Sequence, residues 1–226
     1  MRKRFKLVPE MEGKTALWYA RQRGTAAQLV RFRRDAGQLT KGVPSGAKVL
    51  EVASGPGYLS IELARLGFQV TALDISNTFV AIAQDNARRA GLEVDVQQGD
   101  VARIPFDTDS FELIVCQAAF KNFSEPLRAL NEMHRVLRPG GTAVIQDLSK
   151  DASASEIDRE VRQMQLSPFN TFTTKFILGT MLRRRAYSPR DFERIVAQTN
   201  FGSCEITKDG IGFEVRLKKS AVEKAA

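Results

Sequence analysis

At residues 49–58 the chain reads Val49-Leu50-Glu51-Val52-Ala53-Ser54-Gly55-Pro56-Gly57-Tyr58, and there an apolar strand runs directly into a glycine-containing turn that opens a helix. Such a turn lets backbone approach a ligand without interference from a Cβ atom. The first N–H groups of the following helix point at the same spot. The stretch therefore predicts a ligand site of an α/β protein.

A second strand, Gln69-Val70-Thr71-Ala72-Leu73, follows this helix and is closed by Asp74. An acidic residue about twenty positions after such a turn can accept hydrogen bonds from both hydroxyl groups of a ribose. The turn itself fits a diphosphate poorly, because a dinucleotide fingerprint requires Gly-x-Gly-x-x-Gly and here Leu59-Ser60 follows the second glycine.

The composition is that of an ordinary globular enzyme, with 226 residues, 43% of them hydrophobic and 27% charged. We expect a single domain, and no apolar run approaches the roughly 20 residues that cross a bilayer. The basic amino terminus does not resemble a secretory signal. Cys116 and Cys204 have no paired spacing, so neither a disulfide framework nor a metal site is predicted. A cytoplasmic location is the default expectation.

The net charge of +8 raises nucleic-acid binding as one alternative. Basic residues cluster at 2–6, 21–34 and 183–185, and the last two clusters lie outside the strand-turn-helix core. Such clusters are more often solvated helix faces. An anionic small substrate or an acidic membrane surface are further alternatives.

Strands and helices alternate between residues 46 and 146, which predicts right-handed crossovers and a doubly wound parallel sheet. One or two amphipathic helices precede this core within residues 12–34. Five strands are predicted in the core, the fifth at 142–146. A helix that includes Leu137 precedes the fifth strand. Two more strands, at about 203–208 and 212–218, are joined by an Asp-Gly turn and predict an antiparallel hairpin at the sheet edge.

Four motifs taken in order resemble the class I S-adenosylmethionine-dependent methyltransferases. They are Glu51-x-Ala53-x-Gly55-x-Gly57, then Asp74, then Gly99-Asp100-Val101, then Arg135-Val136-Leu137-Arg138-Pro139-Gly140-Gly141. The chain is most similar to the small-molecule branch of methyltransferase type 11, which includes the quinone-biosynthesis C-methyltransferases. The resemblance covers about residues 45 to 150. One departure is Ala53, which stands where the family usually has a glycine.

This resemblance implies a Rossmann-like, doubly wound, seven-stranded α/β sheet that is mostly parallel and has a C-terminal antiparallel hairpin. It also implies S-adenosyl-L-methionine as cofactor and no metal. Glu51 would orient the methionine amino group, Asp74 would hold the ribose and Asp100 would accept the adenine amino hydrogens. The other implied cofactor-binding residues are Ala53, Ser54, Gly55, Gly57, Ile75, Val101 and Gln117. The alternative for each is a turn, a helix cap or another structural role.

Methyl transfer from a sulfonium needs alignment and exclusion of water more than it needs a general base. The catalytic residues are therefore left open, with Tyr19, Asp147 and Tyr187 as weak candidates. The pair Trp18-Tyr19 can close over an acceptor or dock its helix on the core, and we favour core docking. His134 is expected to be structural.

The sequence thus predicts transfer of a methyl group to a small, largely apolar acceptor, at oxygen, nitrogen, sulfur or carbon, by direct in-line displacement that releases S-adenosylhomocysteine. One methyltransferase domain would span 1–226. It would comprise a helical lid at 1–45, a cofactor-binding core at 46–150, a helical substrate roof at 151–187, and a helix with edge strands at 188–226. Within the roof, the phenylalanines between Phe169 and Phe176 can pack on the core or line an apolar acceptor pocket, and their position after strand five favours the pocket. The oligomeric state is left open.

Two alternatives remain. A nucleic-acid methyltransferase would agree with the charge, but Gln117-Ala118-Ala119-Phe120 does not match the Asn/Asp-Pro-Pro-aromatic motif of amino-nucleobase methylases. Cys116 also lacks the neighbouring proline of a cytosine C5 nucleophile. The other alternative is a regulatory protein that binds the cofactor without turnover.

Overall fold

The computed structural model describes residues 11–163, 171, 174–175 and 177–221. The strands are β1 (Lys48–Val52), β2 (Gln69–Asp74), β3 (Asp95–Gln98), β4 (Phe111–Gln117), β5 (Leu137–Leu148), β6 (Glu205–Asp209) and β7 (Gly212–Lys218). The main helices are α1 (Gly13–Arg23), α2 (Ala26–Leu39), α3 (Tyr58–Arg65), α4 (Asn77–Ala90), α5 (Pro126–Val136), α6 (Ala154–Gln163) and α7 (Pro189–Val196). Shorter helical stretches are Val101–Arg103, Phe120–Asn122, Ile177–Leu182 and Arg183–Arg185.

The seven strands form one sheet in the order β3-β2-β1-β4-β5-β7-β6. The first five are parallel, and β7 pairs antiparallel with both β5 and β6. The predicted fold class is therefore confirmed, including the hairpin at the edge. Strand order reverses between β1 and β4, and in doubly wound sheets ligands bind at the carboxyl ends of the strands beside such a reversal.

Helices cover both faces of the sheet. On one face Phe32 and Leu39 of α2 and Leu63 of α3 pack in a buried cluster against β1. On the other, Met133 of α5 and Phe192 of α7 belong to the larger cluster. Because both faces are covered, the central strands are nearly all apolar and fully buried.

Local signals in the sequence set the bounds of α4 and α7. Ser76 Oγ accepts a hydrogen bond from the Phe79 N–H at the start of α4, and Gly91 takes a left-handed conformation at its end. Ser188 and Asp191 form a reciprocal capping box at α7. Capping chemistry acts over only a few residues, so these side chains and this glycine define where the two helices begin and end.

The prediction at the start of β5 was wrong. α5 ends at Val136 and β5 already begins at Leu137, not at Thr142. Leu137 is fully buried and pairs with Phe111 of β4. Pro139 disfavours helical backbone at the residue before it, so the chain turns extended early and uses Leu137 in the sheet.

The N-terminal segment forms the two expected helices, and one expectation about it fails. Tyr19 packs edge-on against Phe79 of α4, with ring centroids 5.8 Å apart. Trp18 is 57% exposed instead of docked on the core. The successive side chains of a helix point about 100° apart, so only one of the pair can face inward. Phe169, Phe172 and Phe176, predicted to line an acceptor pocket, lie outside the described residues.

No helix in the described ranges is long and apolar enough to cross a membrane. Neither is there a cluster of potential metal ligands within that part of the chain. Cys116 is buried and Cys204 is half-buried, both as free thiols.

Replacing Gly57 with alanine should destabilise the fold. Gly57 has a φ of 75°, and an added Cβ would lie 2.8 Å from the Cβ of Ala83 on α4. We expect a loss of about 2–3 kcal/mol in the free energy of unfolding, measured by urea denaturation. Gly91→Ala is the matched control, because its φ is 65° with nothing within 4 Å of an added Cβ. Equal losses in the two variants would contradict the packing argument.

Candidate cofactor site

Four polar side chains meet at the carboxyl edge of the sheet, where the order of strands reverses. Glu51 belongs to β1 and Asp74 ends β2, while Asp100 follows β3 and Gln117 ends β4. Since parallel strands end at the same edge, residues far apart in sequence become neighbours there. This arrangement is the one expected from the spacing of the motifs.

Asp74 fastens the turn after β1 to the end of β2. Its Oδ2 accepts a hydrogen bond from the Gly55 N–H at 2.7 Å, and its Oδ1 accepts one from the Ser76 N–H at 2.9 Å. The carboxyl group is buried, and this burial raises its pKa despite the two donors. Each oxygen retains a lone pair, so the group can accept further hydrogen bonds from a ligand.

Glu51 lies deeper in the same site. It is almost fully buried and accepts a hydrogen bond from the hydroxyl of Ser60 on α3. Burial raises the pKa of Glu51 to about 8, and the Ser60 bond opposes this shift only in part. A buried carboxyl without a cation beside it is suited to receive one from a ligand.

Two alanines flank the site in left-handed backbone. Ala53 follows β1 with a φ of 54°, and Ala118 follows β4 with a φ of 58°. This conformation costs a residue with a Cβ roughly 1–2 kcal/mol. The Ala53 that replaces the family's glycine therefore keeps the backbone shape of a glycine. Such strain at two adjacent strand ends is typical of binding sites.

Two features of the turn test whether S-adenosylmethionine fits here. Among the buried side-chain nitrogen and oxygen atoms of the described residues, Ser54 Oγ is the one that lacks a hydrogen-bond partner. Gly55 has a φ of 55°, and nothing lies within 4 Å of an added Cβ. An unpartnered hydroxyl beside an open backbone suits the polar amino-acid end of the cofactor, which would satisfy the hydroxyl.

Asp100 and Ile75 follow the ends of β3 and β2, on the side of β1 away from β4 and Gln117. Asp100 is half-buried, and its Oδ1 accepts a hydrogen bond from the Ala102 N–H at 2.9 Å. Val101 packs against the larger core cluster. Asp100 therefore caps the short helix 101–103 and still has a second oxygen available to a ligand. The cap role and the predicted adenine role are compatible.

Gln117 is held by side chains on two neighbouring elements, α2 and β5. Its Nε2 donates to Asp35 Oδ2 on α2 at 3.0 Å and to Gln146 Oε1 on β5 at 3.1 Å. Gln146 Nε2 in turn donates to Glu214 of β7 at 2.9 Å. This chain of hydrogen bonds fixes the Gln117 side chain at the wall of the cofactor cavity.

The structure separates the three weak catalytic candidates. Tyr19 lines the same cavity as Glu51 and Gln117. Tyr187 lines a different, polar cavity of about 380 Å³, with Lys150 among its other residues. Asp147 is buried 2.7 Å from Lys121 Nζ, and its oxygens also accept the backbone N–H groups of Lys121 and Leu148. Tyr19 is therefore the candidate that lies beside the predicted cofactor-binding residues, and all three assignments remain predictions.

Sequence reasoning missed Arg23, Tyr58 and Asp35. Arg23 and Tyr58 line the cavity beside Tyr19. Tyr58 Oη donates to the Ala20 carbonyl at 3.0 Å and ties α1 to the turn. Tyr58 directly follows Gly57, so its neighbourhood was visible in the motif. Arg23 and Asp35 carried no motif, and only tertiary packing brings them to the site.

Comparison with known proteins agrees with this geometry. Residues 50–145 match the methyltransferase domain family described as Methyltransf_11. Over this central part the chain is similar to the class I S-adenosylmethionine-dependent methyltransferases. S-adenosylmethionine is the cofactor of this domain, and the match covers Glu51, Asp74, Asp100 and Gln117.

Curated relatives share the same region. A ubiquinone/menaquinone biosynthesis C-methyltransferase from Idiomarina loihiensis is 34% identical over 50% of this chain and 47% of its own length. A demethylmenaquinone methyltransferase from Renibacterium salmoninarum is 31% identical over 68% of this chain and 57% of its own. The chain thus spans about half the length of the curated relatives it matches.

A solved structure extends the likeness to nearly the whole chain. A protein from Methanococcus maripaludis, described as an S-adenosylmethionine-dependent methyltransferase, superposes with a TM-score of 0.72 at 24% identity and covers 99% of both chains. At this identity the likeness shows a common fold, including the N-terminal and C-terminal elements around the methyltransferase domain.

Changing Asp74 to asparagine should weaken S-adenosylmethionine binding by at least about tenfold. The change removes the charge from hydrogen bonds to the ribose, and such bonds are worth about 1.5–3 kcal/mol. Calorimetric titration measures the affinity. Asp95→Asn, which alters an exposed carboxylate on β3, should leave it unchanged. Unaltered affinity in a correctly folded Asp74→Asn protein would contradict the ribose assignment.

Cofactor binding should release a proton from Glu51. With its pKa raised to about 8, this carboxyl is largely protonated at neutral pH, whereas pairing with the α-ammonium group requires the charged form. Affinity should therefore rise with pH up to about 8, by at most tenfold per unit. Calorimetry in buffers of different ionisation enthalpy measures the proton, and Glu51→Gln should abolish its release. Binding to the native protein without proton release would count against the pairing.

Proposed function

We propose that the protein transfers a methyl group from S-adenosylmethionine to a small, largely apolar acceptor by in-line displacement. The observation that carries this proposal is the convergence of Glu51, Asp74 and Asp100 on one edge of the sheet, each with hydrogen-bonding capacity left for a ligand. The family match supports the cofactor, and the names of the curated relatives support a ring-shaped, quinone-like acceptor.

The cofactor would bind in an extended form along this edge. Glu51 and the turn at 53–57 would hold its amino-acid end, Asp74 with Ile75 its ribose, and Asp100 with Val101 its adenine. Gln117 would contact the methionyl part from β4. The activated methyl group is supplied by the cofactor, so these residues chiefly bind, orient and exclude water.

No strong base is required at the acceptor. Phenolates, thiolates and stabilised enols can arrive already ionised. Tyr19 is the hydroxyl-bearing side chain of α1 that lines the cavity, and it is the acceptor-side residue we favour. The Lys121–Asp147 ion pair lies at the same end of β4 and β5, and its mutual hydrogen bonds suit it to support the wall rather than to exchange protons.

The helical pair α1–α2 would act as a lid. The cavity enclosed by Tyr19, Arg23, Glu51 and Gln117 measures about 40 Å³, close to the volume of one water molecule. A pocket that holds a ligand as large as S-adenosylmethionine measures roughly several hundred cubic ångströms. We infer that α1 moves outward when the cofactor enters and packs back over it afterwards.

The nucleic-acid alternative gains no support from the described residues. Cys116 is buried, and burial raises the pKa of its thiol, whereas a C5 nucleophile needs an accessible thiolate. Several cations of the basic 21–34 segment are also paired, as in the contacts Arg31–Glu160 and Arg33–Glu62.

A panel assay tests the proposal. Purified protein is incubated with S-adenosylmethionine and with quinols, phenols, thiols or RNA, and release of S-adenosylhomocysteine is measured. We expect release with at least one ring-shaped small acceptor and none with RNA. Release with RNA alone would overturn the acceptor class. Cofactor binding without release across the panel would favour the regulatory alternative.

With an acceptor in hand, Tyr19→Phe and Tyr187→Phe form a matched pair, since each removes one hydroxyl group. If Tyr19 contacts the acceptor, its variant alone should lower kcat while cofactor affinity stays unchanged. A fall in kcat confined to Tyr187→Phe would move the acceptor to the polar cavity beside Lys150.

A further inference from the structure

The two sides of α1 have opposite character. Its inner side carries the buried residues Ala16 and Ala20. Its outer face, which we define as Lys14, Leu17, Trp18 and Arg21, is exposed. These four positions are spaced i, i+3, i+4 and i+7, so they form a single stripe along the helix.

The outer face of α1 exposes an apolar pair. Trp18 is 57% exposed and its neighbour Leu17 is 45% exposed, and both are among the most exposed large hydrophobic residues in the described chain. Single exposed hydrophobic residues are normal on protein surfaces. Here an indole and an isobutyl group lie side by side between two cations, one helical turn away on each side.

The charge on this face is uncompensated. α1 contains no acidic residue, and neither Lys14 nor Arg21 makes an ion pair within the described part of the chain. The arginines of α2 differ, because Arg31, Arg33 and Arg34 are each paired with a carboxylate. The sequence ahead of α1 carries four cations, Arg2, Lys3, Arg4 and Lys6, and two acidic residues, Glu10 and Glu12, so it too is basic on balance.

We propose that the outer face of α1 binds the surface of an anionic lipid bilayer. Tryptophan and leucine between lysine and arginine are the composition of helices that lie in the membrane interface. The indole inserts at the level of the headgroups, while each nearby cation adds attraction to anionic lipid. The absence of acidic groups on the face favours this occupant over a protein surface of mixed charge.

Binding there would connect the bilayer with the cofactor site. Tyr19 and Arg23 on the other side of α1 line the cofactor cavity, so one helix, about 10 Å thick, separates this cavity from the membrane. An apolar acceptor dissolved in the lipid could then reach the lid directly. This consequence rests on the proposed function, whereas the membrane contact itself does not.

Trp18 provides the test, because it is the only tryptophan in the chain. The full-length protein is titrated with vesicles of phosphatidylcholine containing about a third phosphatidylglycerol, and tryptophan fluorescence and co-sedimentation are followed. We expect a blue shift with co-sedimentation, both reduced by salt and by omission of the anionic lipid. If anionic vesicles produce neither the blue shift nor co-sedimentation, the proposal is wrong.

Matched variants distinguish binding through the outer face of α1 from non-specific adsorption to the vesicles. Leu17→Glu should weaken vesicle binding about tenfold or more, and Arg21→Gln roughly fivefold. Leu66→Glu introduces the same charge at a leucine of similar exposure, 47%, at the end of α3 on the opposite edge of the sheet. It should bind vesicles more tightly than Leu17→Glu by several-fold. Equal weakening by both leucine variants would contradict a specific face, and circular dichroism checks that each is folded.

Other occupants give different results. A blue shift that depends on protein concentration without vesicles, together with dimers in sedimentation, would assign the face to a second copy of the chain. A shift with RNA but not with anionic vesicles would assign it to nucleic acid. Release of S-adenosylhomocysteine from a water-soluble acceptor, measured in the same samples, tests the proposed function separately. Activity without vesicle binding refutes only the membrane contact, and vesicle binding without activity refutes only the methyl transfer.

Discussion

The site depends on one carboxylate that serves two strands. Asp74 ends β2 and accepts a hydrogen bond of 2.7 Å from the Gly55 N–H of the turn after β1. The Ser54 N–H adds a bond to the Leu73 carbonyl at 3.2 Å, and Asn86 Nδ2 adds one to the Pro56 carbonyl at 2.9 Å. Together these bonds hold the left-handed residues of the turn in place. The Asp74 carboxylate is also the group that should bind the ribose, and preorganisation of the loop and recognition of the ligand are therefore inseparable here.

The ends of β4 and β5 are built differently from the candidate cofactor site. Lys121 and Asp147 form a buried ion pair, with further bonds to backbone at Lys121 and Leu148. Removing either partner would leave an uncompensated buried charge, which generally costs several kcal/mol. We therefore regard this pair as a rigid wall. Variation among acceptors would more readily arise from the helices that cover the site than from these strand ends.

Much of this architecture could be predicted from the sequence. Turn residues and acidic residues after apolar strands act over short distances, so the place of Asp74 at the end of β2 and the hairpin at the sheet edge were predicted correctly. The start of β5 and the exposure of Trp18 were not, because burial in the sheet and the orientation of a helix depend on tertiary packing. For the same reason the contact between Asp35 and Gln117 could not be predicted, because Asp35 lies in no motif and only tertiary packing brings α2 beside β4.

The hydrogen-bond chain through Gln117 decides which of its amide atoms a ligand meets. Asp35 can only accept, so the Gln117 nitrogen must turn toward it and toward Gln146. The oxygen of that amide is left as the end open to the cavity. If the amide were rotated, the Gln117 oxygen would face the Asp35 carboxylate, and both groups are acceptors. The site therefore favours ligand groups that donate hydrogen bonds and disfavours anionic groups. Asp35, a residue of α2, thus determines which hydrogen-bonding atom Gln117 presents to a ligand.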